Sequence, residues 1–370
     1  MKLSICHLAI TSALLVTPLV TAQEGKFPCD EKLERVKAEV PAQEVKSLSA
    51  FTPATIKSRK SPTYPKEAAR HGREGWVRMS YVIDEEGNVV DPVVEDFGGD
   101  KAFRRKAIAA IKKWKFNPAI KDGEPTQSCQ NMVQLDFVLS GPTGATRQFA
   151  STYREIHELV SEDKAQEADE QMVAFRKRAT GNRYENAYLW SLDSMIANAL
   201  KDENRELDSL FKTLASSKSH DSQHATFDEE YYQYIHQRLF ILSANAGRYA
   251  EALDQASTLA QMGLDNPRYL EIKDAITTIE SRIASEDNIF VPMLIQEGGN
   301  EFHRLVRSKF AFTGIEGSLD TVEVRCDSHR EIFTVAEGNI WNIPESWGAC
   351  QVLVEGDEGT KFDLVEVGKV

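Results

Sequence analysis

The chain has 370 residues and a formal net charge of −13, with 27% charged and 9% aromatic side chains. That length allows two or three domains, each with its own core. The acidic balance excludes nucleic acid as a general partner, because binding phosphate needs the opposite sign.

Residues 1–22, "MKLSICHLAITSALLVTPLVTA", place Lys2 before an apolar run and end on the small-residue pattern Val20-Thr21-Ala22. They read as a cleaved secretory signal peptide. A retained inner-membrane anchor is the rival reading, but the run is broken by Pro18 and is shorter than the roughly 20 apolar residues that a spanning helix needs. Of the 5 cysteines, loss of Cys6 with the signal leaves Cys29, Cys129, Cys326 and Cys350. An even number in an exported chain favours disulfides over a metal site, and no Cys-x-x-Cys pair occurs. Proximity along the chain favours Cys326 with Cys350, which leaves Cys29 with Cys129.

Residues 23–60 are polar and lack periodicity, and are expected to form an extended tail. Residues 61–140 read as a small domain of two helices and three antiparallel strands. A short helix follows Tyr64-Pro65. Trp76 to Ile83 then alternates as a strand, "DEEGN" turns the chain at Gly87, and "VVDPVVEDF" returns it. Pro92 cannot donate a ladder hydrogen bond, so this second strand belongs at an edge or at a bulge. A helix from Lys101 to about Trp114 places Phe103, Ala107, Ala110, Ile111 and Trp114 on one side. Its many cations suit a solvated face better than a phosphate or lipid site. Gln127 to Leu139 reads as the third strand.

After the Gly- and Pro-containing "SGPTGATR", residues 150–286 are rich in Ala, Leu, Glu and Lys at helical spacing. Turns at Ser161–Ala168, Leu200–Leu207 and Ala244–Leu253 divide them into helical hairpins. The third, with Gly247, Tyr249, Ala252 and Ala256, resembles a tetratricopeptide repeat; an ordinary helical bundle is the alternative. Residues 288–370 return to short Val-, Phe- and Ile-rich runs between turn residues, as expected of a small antiparallel β domain stapled by Cys326 and Cys350. The fold class expected is α+β and multidomain.

No Gly-x-Ser-x-Gly elbow, metal-ligand run or phosphate-binding loop organises the polar residues, so no enzyme, cofactor or metal is expected. His303 near Glu301 and His329 near Asp327 read as surface residues.

The ordered series Tyr64-Pro65, Ala68, Gly75, Val77, Gly87, Trp114, Phe116, Pro118, Gly123 and Phe137 resembles the TonB carboxy-terminal domain, the periplasmic end of the energy transducer for outer-membrane receptors. The resemblance implies a periplasmic, non-catalytic protein. It would bind an extended segment of an outer-membrane TonB-dependent transporter by adding it as a strand to the sheet edge. The acceptor residues implied are Gln127, Cys129, Asn131, Val133, Leu135 and Phe137, flanked by Tyr64 and Pro65. The long Pro-rich spacer of a full transducer is lacking, so an inner-membrane motor would be reached only through another subunit. A scaffold or regulator that uses the helical hairpins and the sheet edge is the alternative. A Cys29–Cys129 bond would hold the tail beside the acceptor strand, either as a static staple or as a shield.

Overall fold

The computed structural model describes residues 51–140, 144–178, 181–217 and 225–368. The signal-like segment and Cys29 lie outside them, so the expected cleavage and the Cys29–Cys129 pairing do too. The described chain is α+β throughout, with nine α-helices and five antiparallel sheets among the described residues.

The first layer is the three-stranded sheet β4-β3-β8, built from β3 (Gly75–Ile83), β4 (Val89–Gly98) and β8 (Ser128–Phe137). Its odd-numbered positions Val77, Met79, Tyr81, Ile83, Leu135 and Phe137 pack beneath helices α1 (Lys66–Arg70) and α2 (Ala102–Ile111). Burying each large side chain of this core contributes on the order of 2 kcal/mol. Gly87 turns the chain at φ +80°, and a Cβ there would lie 1.9 Å from the Phe116 carbonyl oxygen, so only glycine fits. Pro92 sits in edge strand β4 within one register shift of its pairing with β3, and a second shift follows at Glu95.

Two features differ from expectation. Helix α2 ends at Ile111 rather than near Trp114; Trp114 is buried beyond it, and its indole N–H donates to the Lys60 carbonyl at 2.9 Å. Part of the expected tail is also ordered: β1 (Phe51–Thr52) pairs with β6 (Ala119–Lys121), and β2 (Thr55–Ser58) pairs with β5 (Lys115–Asn117). The link between α2 and β8 thus offers ladder groups on β5 and β6 to this segment, and β6 also pairs with β7 (Glu124–Thr126). Unpaired backbone groups of this kind recruit nearby chain.

Seven helices follow: α3 (Arg147–Ser161), α4 (Ala165–Arg178), α5 (Arg183–Leu200), α6 (Glu203–Ser217), α7 (Glu229–Asn245), α8 (Tyr249–Met262) and α9 (Pro267–Ala284). Thr146, Asn182, Asp228 and Asn266 cap the starts of α3, α5, α7 and α9 with side-chain oxygens. Small Ala252 and Ala256 let α8 approach Phe240 of α7 in one apolar cluster.

The last region packs two four-stranded sheets on one core. One has the order β10-β15-β12-β13: β10 (Asn300–Arg304), β15 (Cys350–Gly356), β12 (Leu319–Cys326) and β13 (Arg330–Thr334). The other has the order β14-β11-β16-β9: β14 (Ile340–Asn342), β11 (Lys309–Glu316), β16 (Lys361–Glu366) and β9 (Ile289–Leu294). Both contribute to the cluster of Val291, Phe310, Phe312, Val322, Val324, Val352, Val354 and Leu364. Cys326 and Cys350 form a disulfide between the paired ends of β12 and β15.

His303, expected at the surface, is buried instead. Its Nε2 lies 2.9 Å from a Glu366 carboxylate oxygen in the sandwich. The next residues of that corner meet the helices: the Arg307 guanidinium donates to the carbonyls of Arg282, Ile283, Ser285 and Asp287 at the end of α9, and to Glu366 O. Arg282 and Ile283 belong to the last turn of α9, where a helix end leaves carbonyls without i+4 partners.

Candidate strand-docking site

Strand β8 is an edge strand: β3 lies on one side of it, and among the described residues no strand pairs with the other. Its pairing with β3 is continuous from Phe137 opposite Gly75 to Asn131 opposite Tyr81, and it then slips by one residue before Ser128 meets Ile83. Alternation therefore sends Val133, Leu135 and Phe137 into the core under α2, and it sends Met132, Gln134 and Asp136 to the other face.

The residues expected to receive a partner are distributed unevenly. Gln127 precedes β8 and donates from its side chain to Glu85 at 3.1 Å. Asn131 uses its amide locally, donating to Ser128 O at 2.6 Å and Tyr81 O at 3.3 Å. Leu135 and Phe137 are core residues and Val133 is half-buried, so they offer backbone rather than side chain. Tyr64 stands edge-on to Phe103 and Phe137 with ring centroids 5.7 and 5.8 Å away, and its hydroxyl donates to Arg73 O at 2.6 Å. Burial raises the Tyr64 phenol well above its ordinary pKa, with the nearby Glu74 charge adding to the shift. Pro65 is buried at the start of α1.

Cys129 is buried, and no disulfide to it is present among the described residues. Burial pushes its thiol pKa up to about 11, so it is protonated at neutral pH. Its backbone N–H donates to Asp327 O at 3.3 Å, and the side chain of Gln130 donates to Arg325 O at 3.2 Å and to Ala349 O. This end of the rim is thus occupied by the carboxy-terminal sandwich. From Asn131 to Phe137 the outer rim makes no backbone hydrogen bond to another element among the described residues.

The face of the sheet away from α2 is covered by both downstream regions. Trp76 Nε1 donates to Ser216 Oγ at 3.0 Å, Gln134 donates to Ala215 O at 3.0 Å, and Arg183 stands 3.8 Å from Asp136. Further along, Ser80 Oγ accepts from Arg325 Nη1 at 3.1 Å and from Gln351 Nε2 at 3.3 Å. Sequence reading missed these residues, since each partner lies far away along the chain and carries no local periodicity. On the β4 side a groove of about 1770 Å³ separates the regions; Arg248 and Glu301 pair across it at 2.9 Å. Burial raises the Glu301 carboxyl pKa there, against the opposing pull of Arg248. Among the described residues no group of three or more His, Cys, Asp or Glu side chains is placed to hold a metal ion, and no helix is long and apolar enough to cross a membrane.

Residues 60–139 match the family model described as Gram-negative bacterial TonB protein C-terminal. The chain is 37% identical over 73 residues to Protein TonB of Vibrio cholerae serotype O1, covering 20% of this chain and 30% of that protein. It is 32% identical over 80 residues to Protein tonB2 of Pseudomonas aeruginosa, covering 22% and 29%. The chain thus spans less than a third of the length of either relative. Among solved structures it is similar to the solution structure of the Pseudomonas aeruginosa TonB CTD, at 24% identity over 25% of this chain and 92% of that one, with a TM-score of 0.23. It is also similar to the tonb2 protein of Vibrio anguillarum, at 32% identity over 28% and 100%, with a TM-score of 0.21. Residues 60–139 thus match the TonB C-terminal family model, in a chain that continues through helices and a β-sandwich.

Proposed function

We propose that the protein is a non-catalytic, periplasmic member of the TonB family that binds an extended segment of an outer-membrane TonB-dependent transporter, by strand addition to β8. The observation that carries this reading is the rim from Asn131 to Phe137, which keeps its outward backbone groups without a ladder partner among the described residues. A row of such groups is a template for another chain, and backbone hydrogen bonds accept many sequences while side-chain pockets select among them. The resemblance of residues 60–139 to the TonB relatives supports the choice of partner. Any coupling to an inner-membrane motor runs through another subunit in this reading.

The test is a titration of the isotopically labelled protein with a peptide from the extended amino-terminal segment of such a transporter. Amide exchange between Asn131 and Phe137 should slow on binding, while Cys129, already bonded to Asp327, should change little. Binding that leaves these amides unprotected would remove the reading. The second reading, a scaffold, draws on the close packing of helices and sandwich against the sheet. It is favoured instead if the peptide fails to bind and unrelated extended segments protect the same amides.

A further inference from the structure

Two stretches of the chain hold no Asp or Glu, residues 51–66 and residues 101–121. Taken alone, the second is a cationic helix with solvated side chains. The fold lays the first against it. β2 pairs with β5 so that Ser58 stands opposite Lys115, and the Lys60 carbonyl accepts from Trp114 Nε1 at 2.9 Å. The chain then runs the length of α2, to Tyr64 edge-on to Phe103 at 5.7 Å.

This course brings Lys57, Arg59 and Lys60 to the carboxyl end of α2. Phe103, Ala107, Ala110 and Ile111 turn to the sheet, which leaves Lys106, Lys112 and Lys113 in solvent. All six cations are exposed. Among the described residues none of the six pairs with a carboxylate, whereas Lys101 and Arg104, at the other end of the helix, reach Glu297 at 2.6 and 3.7 Å. Lysines after a helix answer its dipole. Lys57, Arg59 and Lys60 belong to an extended segment and have no dipole to answer. Two large apolar side chains share that segment: Ile56 is 57% exposed and Phe51 46%.

We infer that this face, residues 51–60 with the carboxyl end of α2, docks on the surface of a phospholipid bilayer that carries anionic headgroups. Five of the six cations are lysines, and the one guanidinium, Arg59, lies over the Trp114 ring at 4.5 Å. A fixed carboxylate on a protein partner is best met by free arginine forks, whereas a lysine is a hydrated point charge on a flexible stem. Such charges follow a layer of mobile phosphates. Each one near an anionic membrane surface strengthens binding by about fivefold. Ile56 and Phe51 add apolar burial at the headgroup boundary. The chain carries a net charge of −13, but in about 0.1 M salt charges more than about 10 Å from the membrane are screened, so the local patch decides. β8 takes no part in this contact, so strand docking and membrane docking can fail separately.

The test is co-sedimentation of the full chain with vesicles of phosphatidylcholine alone and of phosphatidylcholine with a quarter phosphatidylglycerol. Any contribution of the apolar run at residues 8–20 is common to both, so the quantity read is the ratio of the two partition coefficients. In about 0.1 M salt the ratio should reach about a hundredfold, and in about 0.5 M salt it should fall towards one. Lys112→Gln with Lys113→Gln, and separately Lys57→Gln with Lys60→Gln, should each lower the ratio by about tenfold or more. Lys177→Gln with Lys273→Gln, the same change of net charge at exposed lysines of α4 and α9, should leave it unchanged. Ile56→Ser should weaken binding to the anionic vesicles by about tenfold and keep its salt dependence. Equal partition onto both vesicles, or an equal loss from the patch pairs and the control pair, overturns the membrane face. If inorganic phosphate releases the protein better than chloride of the same ionic strength, the cations hold a discrete anion and the face is overturned as well. It is also overturned if vesicle binding survives both patch pairs while sedimentation velocity shows them dissociating a self-associated chain, for the patch then serves a second, acidic copy.

Discussion

Arg325 of the sandwich donates to Ser80 Oγ of the central strand β3 at 3.1 Å, although 245 residues separate them in sequence. The guanidinium is fully buried and also pairs with Glu323, at 2.8 Å from Nε. It pins one region to another with a charge that has no access to water. Arg325→Ala would leave Glu323 with only Arg330 as counter-charge and Ser80 with only Gln351. Removing one partner of a buried pair costs about 3 kcal/mol or more. Urea unfolding should show a loss of that size, while Ser80→Ala should cost less, about 1 kcal/mol.

Reduction of the Cys326–Cys350 disulfide removes a cross-link over 24 residues of chain. In the chain-entropy account a loop of that length contributes about 3 kcal/mol. A Cys326→Ser, Cys350→Ser double variant should unfold at lower denaturant concentration than the parent by that amount, and added reductant should no longer change it.

Cys129 gives a pH signature. Burial holds its thiol at about 11 in the folded chain, against an ordinary value of 9.0. Between those values the unfolded chain has released this proton and the folded chain has kept it. Stability from this group therefore falls as pH rises through that window and is unaffected below it. Cys129→Ala should show a shallower decline than the parent between pH 9 and 11. At neutral pH, alkylation of Cys129 should require unfolding.

Gly87→Ala tests the turn between β3 and β4. At φ +80° with its missing Cβ 1.9 Å from Phe116 O, alanine is strained and must displace backbone. A loss of more than about 1 kcal/mol is expected in thermal or denaturant unfolding. Gly123→Ala, at φ +91° with nothing near its Cβ, carries the strain without the collision and should cost less.

Much of the fold was legible because it is written locally. The alternation from Trp76 to Ile83, Gly87 in its turn, Pro92 at an edge bulge and the pairing of Cys326 with Cys350 each follow from a few neighbouring residues. The site was legible as a strand but not as a surface. Val133, Leu135 and Phe137, three of the residues expected to meet a partner, face the core, and exposed Met132 lies on the other parity. Which face of an edge strand is open depends on what covers the sheet. Here that cover comes from Ala215, Ser216 and Arg325, between 81 and 245 residues away from their partners. His303 was misplaced for the same reason: its partner Glu366 arrives with the last strand.

The grip of Arg307 on the closing carbonyls of α9 bears on how the molecule can be taken apart. A cut after Ala284 would strip a helix terminus of its cap and leave the sandwich with an arginine reaching for oxygen that is no longer there. Fragments that keep α9 and the sandwich together should be well behaved when expressed, whereas either half alone should fray at the seam.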